Sequence, residues 1–300
     1  MNIIVIFAVL LGIFVTVCSG DQEPLQIEKS VDSLSNVVNT YGNDLNEKFK
    51  PEELQKAINM VDSSMLGYGG SAKNYLDDIR RLNSNASLTY KNSRDLILEC
   101  CTSLSSTLQL FIQNTKKRNH QENEQNIILN ITFEALKTGA SKINESLNLL
   151  ENAQYTRRIL KEKLDTMDSS LKTDLMNEIS KEKPEIKGTI FQIIWNFLKK
   201  LWNKLFYPKV EEEKAVEDNK IKIAKIEENI KNATIVIETS FNLDFAEDKT
   251  NINEMTRFLS VSDPNKLLLD ANAKWEEKLM PRVDELLKSC NSFSKSQVQF

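Results

Sequence analysis

Side chains able to do covalent or acid–base chemistry are few in this 300-residue sequence, and their spacing does not assemble a reaction centre. The one histidine, His120, sits in the polar knot Lys116–Glu122 without other candidate ligands near it. Cys100 and Cys101 are adjacent on a helix-patterned stretch, which suits structural thiols better than a nucleophile lacking a base. The acidic pairs Asp77-Asp78 and Glu276-Glu277 also fall on helical patterns, where carboxylates face water. No GxGxxG, P-loop, GxSxG or HExxH pattern occurs, so neither an enzyme nor a metal or cofactor site is expected. A net charge of −4 supplies no basic field for nucleic acid.

The chemistry that remains is the transfer of apolar surface. Between Lys187 and Lys209 runs KGTIFQIIWNFLKKLWNKLFYPK. At 100° per residue, Ile190, Phe191, Ile193, Ile194, Trp195, Phe197, Leu198, Leu201, Trp202, Leu205 and Phe206 share one broad face. Gln192, Asn196 and Asn203 fill the other arc with the interfacial lysines Lys199, Lys200 and Lys204, and Pro184 and Pro208 close the segment. A wide Trp/Phe/Ile/Leu face opposite lysines is the composition of a helix lying in a membrane interface. The competing assignment is the most hydrophobic core helix of a bundle, although lysines and tryptophans together are unusual there.

Residues 1–20 carry no charged side chain and predict a secretory signal peptide, with Cys18 and Gly20 at the −3 and −1 positions of a cut before Asp21. A retained N-terminal anchor is the alternative. Cleavage leaves Cys100, Cys101 and Cys290, so an oxidising compartment predicts a disulfide from Cys290 to Cys100 or Cys101. Sequons stand at Asn85, Asn130, Asn144 and Asn232 as glycosylation candidates.

The elements that must position these features are helices, because eight glycines and six prolines leave little punctuation for anything else. Ile27, Val31, Leu34, Val38, Tyr41, Leu45 and Phe49 form a narrow helical stripe, and Pro51 followed by Glu52 and Glu53 starts a new helix. Gly67, Gly69 and Gly70 break it. A stripe of Ile97, Cys101, Leu104, Leu108 and Phe111 follows, then the turn at Lys116–Glu122. Ile128, Ile131, Leu136, Ile143, Leu147, Leu150, Leu160, Leu164, Met167, Leu171, Leu175 and Ile179 continue a pattern without internal proline. A helix of about 55 residues would be about 80 Å long. That length predicts helices packed side by side as an elongated all-α bundle, one domain over residues 21–300 with its apolar head at 187–209. After a solvated charge run, Ile223, Ile226, Ile230, Ala233 and Ile237 keep coiled-coil spacing. Glu247–Asn253 is expected to fray, Ser260–Lys266 to turn, and a last helix to carry Trp275, Leu279, Val283, Leu286 and Cys290, kinked at Pro281.

Several segments then carry a resemblance: YKNSRDLILECCTSLSSTLQLFI (Tyr90–Ile112), SKINESLNLL (Ser141–Leu150), KLDTMDSSLKTDL (Lys163–Leu175), IETSFNLDF (Ile237–Phe245) and KSCNSF (Lys288–Phe293). In their order and lengths they cover nearly all of residues 25–295, and the chain resembles the hemolysin E (cytolysin A) family of α-helical pore-forming toxins. The resemblance implies an antiparallel bundle, monomeric in solution, whose hydrophobic tongue meets target-cell membrane lipid. Its amphipathic N-terminal helix then swings out to line the pore of a homo-oligomeric ring. By position the tongue is Gly188–Tyr207, the pore-lining helix is the stripe Ile27–Phe49, and Cys101 and Cys290 are the paired cysteines. The family's tongue is a Gly/Ala-rich β-hairpin, whereas this segment has only Gly188 and is patterned as a helix. The resulting expectation is a secreted, membrane-binding, pore-forming protein. The alternatives are a secreted helical interaction protein of salivary or venom type, which buries the island against a partner, and a lipid carrier.

Overall fold

The computed structural model describes residues 22–43, 45–116, 122–181, 205, 215–240, 244–261 and 274–297. No strand occurs among them, and the chain is an all-α helical bundle. In order the helices are α1 (Gln22–Asn43), α2 (Leu45–Phe49), α3 (Pro51–Ser64), a 3-10 turn (Ser71–Tyr75), α4 (Leu76–Lys116), α5 (Glu122–Lys181), α6 (Ala215–Glu238), α7 (Ala246–Val261) and α8 (Lys274–Gln297). The chain divides into two compact units, one of residues 1–47, 91–150 and 244–300, the other of residues 48–90 and 151–243.

Local chemistry sets most helix limits. Pro51 occupies the first turn of α3, where its missing N–H costs nothing, and Glu52 and Glu53 complement the positive end of the helix. Lys50 precedes it in the left-handed region, at φ 46° and ψ 54°. That conformation costs a residue with a Cβ about 1–2 kcal/mol. Pro51 in turn disfavours the right-handed region and leaves extended backbone as the relaxed choice for Lys50, which the joint between α2 and α3 does not adopt.

The stretch Glu247–Asn253 does not fray; it forms the opening turns of α7. Asp244 accepts a hydrogen bond from the Ala246 N–H at 2.9 Å, and Glu247 and Asp248 lie in the first turn, where acidic side chains are favoured. The break falls earlier, after Glu238. Ile131 also departs from expectation, at 47% exposure, while Leu129 and Phe133 are buried in its stead. Pro281 lies within α8 on an exposed position. Gly67 to Gly70 do interrupt the helix pattern, and α5 runs unbroken for 60 residues.

In the first unit α1 packs against α7 and α8. Its core joins Val31, Leu34 and Val38 of α1, Leu104 and Leu108 of α4, Leu136 and Ile143 of α5, Met255 of α7, and Val283 and Leu286 of α8, each essentially inaccessible. In the second unit α3 packs against α6, and Leu54, Ile58 and Val61 meet Leu160, Leu164, Met167 and Leu171 of α5 and Ile226, Ile230 and Ile237 of α6.

At Gly139 of α5 a Cβ would lie 2.9 Å from Leu104 Cδ1 and 3.2 Å from Cys100 Sγ. The absent side chain lets α4 approach there, and the Cys100 thiol donates to the Gly139 carbonyl at 3.6 Å. Gly139→Val is therefore expected to overpack this contact and cost about 1–3 kcal/mol, read as a lower urea midpoint.

Candidate membrane-active site

The apolar island falls outside the described residues, apart from Leu205. Leu205 is half-buried against the core of the second unit, and its carbonyl accepts a hydrogen bond from the Gly69 N–H at 3.0 Å. The turn that makes this bond is fastened by Asp174 of α5. Asp174 Oδ2 accepts from Tyr68 Oη at 2.7 Å and from the Ala72 N–H at 3.1 Å, and Oδ1 accepts from Ser71 Oγ at 2.7 Å. Gly70 is required beneath this clasp, because a Cβ there would lie 2.4 Å from Tyr68 Oη and 2.6 Å from Asp174 Oδ2. Burial raises the Asp174 pKa, but the hydrogen bonds from Ser71, Tyr68 and the Ala72 and Ser71 amides outweigh it and hold the carboxyl below its usual range. Burial and the bond to Asp174 push the Tyr68 hydroxyl up. Leu66, on the same turn, is 79% exposed.

The N-terminal stripe is placed in full. Ile27, Val31, Leu34, Val38, Tyr41, Leu45 and Phe49 are all buried at 2% exposure or less. The flanks of that stripe are polar and well partnered. Arg282 of α8 pairs with Asp32 and, at 3.1 Å, with the buried Glu28. Ser30 Oγ donates to the Asn251 carbonyl at 2.8 Å, Asn251 Nδ2 to Ser33 Oγ at 3.1 Å, and Asn36 Nδ2 to Asp248 at 2.9 Å. Tyr41 Oη lies 2.7 Å from Ser93 Oγ, and Ser146 Oγ donates to the Ser93 carbonyl at 2.8 Å beside them. Burial raises the pKa of Asp32 despite Arg282, with Glu285 and Glu28 adding to the rise, and burial likewise raises Asp248.

All three placed thiols are free and buried. They are not equivalent: Cys100 is turned to the Gly139 carbonyl, whereas Cys101 is hydrogen-bonded to Cys290, which with burial pushes the Cys101 thiol up. Asn85 and Asn232 are exposed. Asn130 and Asn144 are half-buried, and the Asn144 amide nitrogen is engaged with Asn253 Oδ1 at 2.7 Å. Among the described residues no helix is long and apolar enough to cross a membrane, and no cluster of three metal-binding side chains occurs. His120 lies outside the described residues.

Sequence reasoning missed Asp174 and Arg157. Asp174 looked like any solvated carboxylate. Arg157 had a signal, since it continues the stripe Ala153, Leu160, Leu164, Met167 at core spacing. It is fully buried, with its guanidinium carbon 3.3 Å from the centre of the Phe49 ring and Nη1 donating to the Phe49 carbonyl. Tyr90 stacks on Phe49 at 4.2 Å and 10°.

The described residues define an all-α helical bundle whose amphipathic N-terminal helix is docked by its apolar stripe. The model of the haemolysin E (HlyE) family matches residues 20–194, more than half of the chain, and the protein belongs to that family of pore-forming toxins. The match begins at α1 and ends inside the apolar island. No curated protein matches the chain.

The Asp174 clasp carries a sign. A carboxyl with a depressed folded pKa contributes stability above its ordinary value of 3.8 that is lost as pH falls through the folded value. Amide exchange of Met65–Ala72, corrected for intrinsic rates, should thus stay constant from about pH 7 to 5 and accelerate only under stronger acid. Asp174→Ala should exchange faster at neutral pH and lose the acid acceleration, since the titrating carboxyl is gone and leaving Tyr68 Oη and the Ala72 N–H unpaired costs about 1–3 kcal/mol.

Proposed function

We propose that this is a secreted, membrane-binding, pore-forming protein that docks through Gly188–Tyr207, is monomeric in solution and oligomerises on target membranes. The observation that carries the reading is an eleven-residue apolar face, bordered by lysines, within a chain of the haemolysin E family. Such a face is an aggregation hazard on a free monomer and must be docked, inserted in lipid or covered by a partner. At about 25 cal/mol per Å2, several hundred Å2 of it is worth roughly 10 kcal/mol on leaving water. Trp195 and Trp202 anchor at the interface in this reading, while Lys199, Lys200 and Lys204 stay at the headgroups.

Residues Ile27–Phe49 supply the pore-lining helix. As one continuous helix those residues would be about 34 Å long, enough for a hydrocarbon core of about 30 Å. It does not have to be apolar all round, because in a ring its Asp, Asn and Ser face would border water. The polar bonds that hold it in the first unit can be exchanged for bonds to water at small net cost.

Residues 1–20 act as the secretory leader, and in the oxidising compartment Cys101 pairs with Cys290, a reading supported by the hydrogen bond between the two thiols. Peptide mapping of the non-reduced protein should recover Cys101–Cys290 and leave Cys100 as the alkylated residue. Recovery of Cys100–Cys290 would refute that pairing.

Dye-filled liposomes test the function. The purified protein is expected to release dye, and a Trp195→Asp/Trp202→Asp variant to lose at least about tenfold in activity, given the cost of placing carboxylates in the interface. Binding without release would leave a lipid-docking relative without a pore. No binding across several lipid compositions would transfer the island to a protein partner.

A further inference from the structure

Arg157 has an environment unusual for a guanidinium. It is wholly buried, and no carboxylate lies within ion-pair distance of it among the described residues. Its Nη1 donates to the Phe49 carbonyl, while Nε and Nη2 have no partner. Burial lowers its pKa to about 9, with Tyr90 opposing the shift, so it is still a cation at neutral pH. The carbonyl it caps is the last of α2, an acceptor that has no partner within its own helix. The ring of the same Phe49 carries the guanidinium at 3.3 Å and Tyr90 at 4.2 Å. One residue further on is Lys50, left-handed, and then Pro51. Three uncommon features therefore coincide at one joint: an unpaired buried cation, an aromatic stack and a strained backbone.

A cation in this setting behaves differently from an ion pair. Withdrawing Phe49 by a small amount strips the guanidinium of its acceptor and its ring while it is still dry, which resists the movement. Once water reaches the guanidinium, Nε and Nη2 gain the partners they lack, and the resistance is gone. Resistance followed by release is the behaviour of a two-state element.

We propose that Arg157 is a positioning residue, and that its guanidinium, the Phe49 carbonyl and ring, and the Lys50–Pro51 joint form a latch holding residues 22–49 in place. The functional meaning of the latch rests on reading Ile27–Phe49 as the helix that lines the pore; its mechanics can be measured without a membrane.

The experiment is amide exchange by mass spectrometry on the full protein in solution, comparing the parent with Arg157→Met, Phe49→Leu and Lys50→Asn. Arg157→Met keeps the volume but removes charge and donor. Amides of residues 22–49 are expected to exchange about tenfold faster in Arg157→Met and Phe49→Leu, while Ile226–Ile237 of α6 change by less than about threefold. Lys50→Asn suits the left-handed backbone better and touches no core residue, so it should slow exchange of residues 22–49 about threefold. Equal acceleration in α6 would reduce Arg157 to an ordinary packing residue and overturn the latch. Unchanged rates at residues 22–49 would do the same. If Arg157→Met does not fold, Lys50→Asn decides alone, and unchanged or faster exchange there overturns the proposal. Selective exchange in a protein that releases no dye keeps the latch and removes the pore; dye release with uniform exchange does the reverse.

Discussion

The close approach of α4 and α5 at Gly139 limits where the other helices of the first unit can lie. Without a Cβ at that position, Cys100 reaches the facing carbonyl and Leu104 fills the space a side chain would take. The same helices meet again where Ser146 donates to the Ser93 carbonyl, and Tyr41 of α1 brings its hydroxyl into that buried pair. Cys290 of α8 bonds to Cys101, next to the residue that faces Gly139. The helix pair thus offers α1 and α8 polar points in the core, and the apolar stripes settle around those points. A polar point in a dry core fixes register, because any slip by one turn leaves a hydroxyl or thiol unpartnered.

α1 is attached in two ways that respond differently to a change of solvent. Its stripe from Ile27 to Tyr41 is held by burial, which weakens only where another apolar medium is offered. Its flanks are held by Arg282, Asn251 and Asp248, which water can replace. Burial makes ionised Asp32 and Asp248 less comfortable in the docked state, so these carboxylates work against docking at neutral pH. α1 is thus apolar on one stripe only, and polar on the flanks that meet α7 and α8. The second unit treats its own attachments differently. There α3, α5 and α6 interlock through Leu, Ile and Met, and polar contacts fasten the turn under Leu205 and Arg157 as well as Asn229, which donates to the Met60 carbonyl at 3.2 Å.

Much of this could be read from residue spacing. The stripes of α1 and α6, the proline start of α3 and the interruption at Gly67–Gly70 follow from periodicity and from the backbone limits of two residue types. The stretch Glu247–Asn253 was misjudged because its polarity was weighed without its position: the same acidic residues that argue against a helix interior favour a helix start once Asp244 caps it. Ile131 was placed on the stripe because it is apolar, yet Leu129 and Phe133 occupy the buried face on either side of it. Arg157 was passed over for the opposite reason, since a charged residue at core spacing is ordinarily a fault in the pattern rather than its continuation.

The sequence by itself determined that the chain is helical, where the helices are interrupted at Pro51 and at Gly67–Gly70, and that one segment concentrates large apolar side chains opposite lysines. Each of these is a local property, set by 3.6-residue periodicity and by what proline, glycine and acidic residues do to a few neighbouring peptides. Only the tertiary structure decided which carboxylate fastens the turn at Leu205, and that Arg157 is buried on Phe49. The physical reason is that one apolar stripe looks like another until a partner is chosen. A carboxylate or guanidinium carries no sign of burial until the groups that desolvate it, from segments about a hundred residues away, have come together.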